Sequence, residues 1–336
     1  MSSRFFTAHS SQRHLSVKCM VAVIAATAIT AFAPIVMAQA FPAKPIRIVV
    51  PAAAGGTADI LGRLISDRLS KAMGQPVLID NKPGASLMLG TDFVAKSAPD
   101  GYTLLLTNDG PLTMNPSLYP KIAYDAQKDL VPVAKVVSFP LILVVNPNVP
   151  AKSTAELIAL AKAQPGKLNF GAGGATTRIA AELFRTTANL DVVHVPYKGS
   201  APMVTGLLGN EVQFAFDGIS SSMPQVKGGK LRALAVSGSA RMAALPDLPT
   251  VAESGLPGYE AETWIGLFAP AGVPKDVLAK LYAEVAKVMA QPDMKGKLAD
   301  FGLVADVAPA ETFTPQIRAD AAKWGTLIKK AGITAE

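Results

Sequence analysis

The chain has 336 residues, 50% of them hydrophobic, with 32 Lys and Arg against 25 Asp and Glu. So mild a positive balance, with aromatics at 6% and no basic stripe interleaved with them, argues against nucleic-acid binding. The single cysteine, Cys19, and two of the three histidines, His9 and His14, precede residue 40, so beyond it there is no thiol and only His194, which excludes disulfides, most zinc sites and Cys–His pairs.

Residues 1–40 open with Arg4, Arg13 and Lys18, continue through an apolar run over 20–37, and end in Ala38-Gln39-Ala40. This reads as a secretory signal cleaved after Ala40, which would place the protein in the periplasm. Cys19 precedes the apolar run instead of following it, which argues against a lipid anchor. Pro34 interrupts the run, and no later segment is apolar enough to span a membrane. What remains is long enough for two domains.

Strand and helix patterns then alternate, which predicts an α/β class with mixed, mainly parallel sheets flanked by helices. A strand over 46–50 runs into Gly55-Gly56-Thr57 and an apolar-periodic helix over 60–73. Strands are predicted over 76–80 and 102–107, with a turn and a short helix between them. A second unit begins near a strand at 141–145, followed by a helix over 155–163 that starts from a Ser153-Thr154 cap. Leu168-Asn169-Phe170 leads into Gly171-Ala172-Gly173-Gly174 and a helix reaching Ala188. Strands over 192–195, 212–216 and 231–236 surround a helix over 199–208, and the chain from Lys275 onward reads as mostly amphipathic helix. Each half thus places a strand before a glycine loop and a helix, the pattern of a two-domain solute receptor with one jaw per domain.

The glycine loops are the candidate chemistry. A helix N-terminus leaves N–H groups free and carries a partial positive charge, so a glycine loop opening a helix suits an anion. Ala54, Gly55, Gly56, Thr57 and Asp59 form one such loop, although a plain strand-to-helix turn would look the same. The loop at 171–176 approaches a dinucleotide fingerprint but has Thr176 where the last glycine belongs, and no cofactor is expected. It still suits a carboxylate, through Gly173, Thr176 and Thr177, with Arg178 in the first turn as either a ligand cation or a solvated surface residue. Tyr197, Ser200 and Asp217 follow strand ends, where ligands of α/β folds gather. Ser220-Ser221-Ser222 reads as a helix cap, and Trp264 as either a cleft cover or a core residue.

Several of these segments together resemble the Bug-type receptors, the extracytoplasmic solute receptors of tripartite tricarboxylate transporters. The resemblance is carried by Lys44-Pro45-Ile46-Arg47, Gly55-Gly56-Thr57-Ala58-Asp59, Asn81-Lys82-Pro83-Gly84-Ala85, Ala98-Pro99-Asp100-Gly101-Tyr102-Thr103, Val195-Pro196-Tyr197-Lys198-Gly199 and Trp264-Ile265-Gly266-Leu267-Phe268-Ala269-Pro270. Each is weak alone; their order and spacing across 41–336 are specific. The resemblance implies a type II-like two-domain periplasmic binding protein fold, with a ligand cleft between 41–140 plus 260–336 and 141–259. It implies a monomeric receptor, not an enzyme, that takes a small organic carboxylate and delivers it to the large and small membrane subunits of a transporter. Ser86, Thr107 and Asn108 join the expected binding residues on the same ground.

Three positions depart from the family pattern: Ala52 replaces a usual aromatic, Ser86-Leu87-Met88 replaces a glycine pair and a polar residue, and Arg178 replaces a common histidine. A fixed cation at Arg178 would favour a dicarboxylate, and Ala52 would leave room for a bulkier, aromatic one. Two alternatives stay open on sequence. One is a ligand sensor for a membrane signalling partner. The other is a secreted hydrolase using His194 and a serine, although no Gly-x-Ser-x-Gly elbow is present.

Overall fold

The computed structural model describes residues 41–242 and 244–334; the predicted leader and its cleavage site lie outside these residues. Ten strands form a sheet in the order β2-β1-β3-β9-β4-β7-β5-β6, with β10 and β8 also paired to β4. At one end β1 (Ile46–Val50), β2 (Val77–Asn81) and β3 (Thr103–Asn108) are parallel. At the other end β5 (Asn169–Ala172), β6 (Val193–Pro196) and β7 (Phe214–Gly218) are parallel. Between them, β4 (Leu130–Val145) and β9 (Glu262–Pro270) run antiparallel to their neighbours.

β4 has 16 residues and serves both ends. Its first part, 130–140, pairs with β9, and β10 (Val304–Pro309) lies along 134–138. Its last part, 141–145, pairs with β7, and β8 (Arg232–Val236) joins it from Ile142. The predicted strand at 141–145 is therefore only the end of a longer one. Pro132 and Pro140 hid the rest, because proline weakens a strand assignment. The register shifts just after Pro132, where the ladder loses a donor. β9 was not predicted as a strand. β10 corrects the reading of the C-terminal part as helix alone: its Val304-Ala305-Asp306-Val307 is half-exposed and lacks clean alternation.

Helices cover the sheet as the periodicity requires. α1 (Thr57–Met73) buries Leu61, Ile65, Leu69 and Met73 against β2 and against α8 (Lys275–Met289). After β2 comes α2 (Met88–Ala95), and after β3 a π-helical turn (Gly110–Met114) leads into α3 (Asn115–Leu118). The second half adds α4 (Thr154–Ala163), α5 (Ala175–Thr187), α6 (Ser200–Leu208) and α7 (Ile219–Lys227). The chain closes with α9 (Pro292–Asp300) and α10 (Ala310–Lys330). Phe184 packs edge-on against Phe214 and Phe216 in one core, and Trp264 packs edge-on against Phe313 in another. No helix among the described residues is long and apolar enough to cross a membrane.

Candidate functional site: four helix N-termini around one cavity

Four helices begin at glycine: Gly56 precedes α1, Gly174 precedes α5, Gly199 precedes α6 and Gly218 precedes α7. None of these N-caps supplies a side-chain hydrogen bond to its helix. All four glycines line one small cavity, of about 50 Å³. Free N–H groups and the positive ends of four helices are therefore aimed at a common space. The close approach needs small residues: a Cβ on Gly173 would lie 2.5 Å from the carbonyl carbon of Gly199, inside any permitted contact.

Hydroxyls of the cavity wall bond to residues outside its lining. Ser220 donates to Thr57 Oγ1 at 2.8 Å, and Thr176 donates to Asp109 Oδ1 at 2.5 Å. Thr263 on β9 donates to the same Asp109 oxygen at 2.8 Å. Thr177 Oγ1 accepts the Gly173 N–H at 3.0 Å. Two polar atoms in the cavity wall have no protein partner: Thr107 Oγ1, in a side chain 1% exposed, and Asn108 Oδ1.

Burial raises the Asp109 carboxyl to about 7, against the lowering effect of the Thr176 and Thr263 hydroxyls. Burial also raises Asp217, opposed by the hydroxyls of Ser200, Ser221 and Ser222. Among the described residues, no Lys, Arg or His lines the cavity. The donors the wall offers an anion are backbone N–H groups, hydroxyls and the Asn108 side-chain amide.

Of the sequence-predicted residues, the structure gathers Gly56, Thr57, Thr107, Asn108, Gly173, Thr176, Thr177 and Ser200 in the cavity wall. Ala54, Gly55, Asp59, Ser86, Arg178, Tyr197 and Asp217 fall outside it. Several of these hold the wall in place. Asp59 accepts the Gly55 N–H at 2.9 Å, and Asp217 accepts from Ser221 and Ser222. Ser86 accepts from the Tyr119 hydroxyl at 2.7 Å. The Tyr197 hydroxyl is turned to Glu211 at 3.1 Å.

Arg178 is neither in the cavity wall nor on the surface. Its guanidinium donates to the Thr334 carbonyl at 2.6 Å and lies 3.9 Å from Glu182, so it is buried and committed away from the cavity. Ser220, Ser221 and Ser222 are inside α7, whose cap is Gly218. Trp264 is a core residue, with its indole N–H on Asp320 at 2.8 Å. His194 packs on Phe170 with neither ring nitrogen bonded, which leaves no Ser–His pair.

Sequence reasoning missed Leu87, Phe139, Leu141, Thr263 and Ile265 as wall residues. Leu141 lies in a predicted strand that read only as core, and Phe139, Thr263 and Ile265 lie in strand segments that were not predicted. Leu87 follows Ala85 and Ser86 with all three at positive φ, a conformation no sequence signal announces for non-glycine residues.

The model of the "Tripartite tricarboxylate transporter family receptor" matches residues 61–333. The chain belongs to this receptor family. Among relatives, it is 35% identical over 300 residues to the protein BugT of Bordetella pertussis, covering 88% of this chain and 92% of that one. Among solved structures, it is similar to R. palustris Rpa4515 with adipate, at a TM-score of 0.86 and 35% identity over 88% of this chain and 99% of that chain. It is also similar to MatC from Rhodopseudomonas palustris with bound malate, at a TM-score of 0.82 and 32% identity over 86% of this chain and 100% of that chain. A tripartite tricarboxylate receptor thus adopts here the α/β fold of periplasmic solute-binding proteins.

Proposed function

We propose that this protein is an exported receptor that captures a small organic carboxylate in the cavity and delivers it to integral-membrane transporter subunits. The carrying observation is the convergence of four uncapped helix N-termini on one space that holds no cationic side chain. Each N–H bond to a charged oxygen contributes about 1.5–3 kcal/mol, so three or four support micromolar binding, about 8 kcal/mol. Adipate and malate, held by two similar structures, are both dicarboxylates, and only the binding of a carboxylate is taken over here.

In this reading one jaw is 41–140 plus 260–336, the other is 141–259, and they close over the ligand by rotating about β4 and β9. The test is titration calorimetry with an acid and its primary amide. The acid is expected to bind at least about tenfold more tightly, the value of one lost charged hydrogen bond. Equal affinities would refute the anion clamp.

A further inference from the structure

The cavity wall is built of two materials. Polar groups come from glycine backbone and from Thr57, Thr107, Asn108 and Ser200, the hydroxyls of Thr176 and Thr177 being spent on Asp109 and the Gly174 carbonyl, whereas Leu87, Phe139, Leu141, Ile265 and Ala52 supply apolar side chains. A first carboxylate satisfies the donors. Whatever it carries then lies against hydrocarbon.

Among the described residues, no cation lines the cavity to receive a second carboxylate. Arg178 is adjacent in sequence to Thr177 but is spent on Thr334. Lys198 precedes Gly199 but is exposed and outside the wall. The ionisable group bonded to the Thr176 and Thr263 hydroxyls of the wall is itself a carboxyl, Asp109. A second carboxylate would give up its water without gaining a counter-charge.

Leu87 is the distinctive apolar residue. It has φ +69° and follows Ala85 and Ser86 at +47° and +50°. Such backbone is costly for residues with a Cβ, and it persists only where the surroundings fix it. Here they do. Asn115 donates to the Ser86 carbonyl at 3.0 Å, Tyr119 holds the Ser86 hydroxyl, and the Thr91 hydroxyl donates to the Leu87 carbonyl at 2.8 Å. The result is a leucine only 7% exposed, whose side chain reaches Gly174 at the start of α5. A strained loop, braced at three points, delivers hydrocarbon to the helix N-terminus that would hold the ligand.

We infer that the site selects a monocarboxylate with an apolar body, and that Leu87 sets this preference by packing on that body. The inference rests on the carboxylate reading above. It is tested by calorimetry on the purified protein with matched pairs, hexanoate against adipate and benzoate against terephthalate. In the pair that fits, the monoacid is expected to bind about tenfold or more tightly than the diacid, as expected when a buried charge is left unpaired. Leu87→Gly, which suits positive φ, should weaken the monoacid about fivefold or more while leaving the diacid unchanged, in line with the loss of apolar contact. Leu87→Ala repeats the measurement without added backbone freedom, and thermal unfolding shows that both variants fold. Diacids binding as tightly as their monoacids, or Leu87 variants weakening both classes equally, would overturn the inference and leave the receptor reading standing. No binding by any of the four acids would also overturn it, and the acid-against-amide comparison then judges the receptor reading separately.

Discussion

Ser220 donates its hydroxyl hydrogen to Thr57 Oγ1 at 2.8 Å, joining the first turn of α7 to the first turn of α1 across 163 positions of sequence. Both residues are buried, and Gly218 stands so close that an added Cβ would overlap the Thr57 hydroxyl. The contact joins the two proposed jaws.

Gly218→Ala is expected to hold the jaws apart. Gly218 has φ −65° and ψ 135°, which alanine adopts freely, so the methyl group acts through its collision with Thr57 alone. Ligand affinity should fall about tenfold or more, with thermal stability lowered by only about 1–3 kcal/mol, the usual range for overpacking. Small-angle scattering would check it: compaction on ligand addition in wild type, and none in the variant. Unchanged affinity would show that closure does not need this contact.

Asp109 should make stability fall with rising pH. Its folded carboxyl holds a proton up to about 7, against an ordinary value of 3.8, because burial disfavours the anion. The unfolded chain releases that proton earlier, so this contribution is full below pH 3.8 and is lost as pH rises to about 7. Asp109→Asn keeps an acceptor oxygen for Thr176 and Thr263 but cannot titrate. Melting temperatures from pH 4 to 8 should decline less in the variant, and parallel curves would refute the assignment.

His194 acts in the opposite sense. Burial first, and the Arg178 charge second, lower its imidazole from 6.5 to about 4. It stays neutral in the fold while the unfolded chain takes up a proton, so its contribution is present above pH 6.5 and lost as pH falls to about 4. His194→Leu should therefore retain more of its stability between these limits than wild type does. The same variant tests the hydrolase alternative, since no serine is bonded to the ring: any ester turnover should be unaffected.

Arg178→Gln should change stability and leave ligand choice alone. The guanidinium ties α5 to the Thr334 carbonyl and neighbours the buried Glu182. Losing a charged hydrogen bond costs about 1.5–3 kcal/mol. Urea unfolding should show this loss, while mono- and dicarboxylate affinities stay in their wild-type ratio. A selective loss of diacid binding would restore the earlier expectation of a second-carboxylate cation.

How much was legible depended on how local the signal was. The strand–glycine–helix units at Gly56 and Gly174 could be read because the tight turn, the free N–H groups and the following periodicity all lie within a few residues. Arg178 could not, because its partner Thr334 lies 156 positions away and sequence gives a residue's place on a helix but not its side chain's destination. β4 was half legible: its apolar end at 141–145 reads as a buried strand, whereas Pro132 and Pro140 interrupt a stretch whose pairing with β9 is fixed by tertiary contacts. Leu87 was noticed only as an odd residue, since its wall position follows from three left-handed residues that propensity would assign to glycine.

The course of β4 carries a mechanical consequence. Phe139 and Leu141 face the cavity, and between them Pro140 faces the groove formed with Val304 and Ala305 on the other side. A ligand resting on Phe139 and Leu141 therefore sits almost on the fulcrum of any rotation about this strand. A few degrees of turning move the fulcrum side chains very little but sweep the far tips of the molecule through a much larger arc. Under the proposed closure the protein would work as a lever loaded at its short arm: the binding energy of a small solute would be spent beside the pivot, and the displacement displayed at the rim, where the proposed membrane partner would sense whether the load is present.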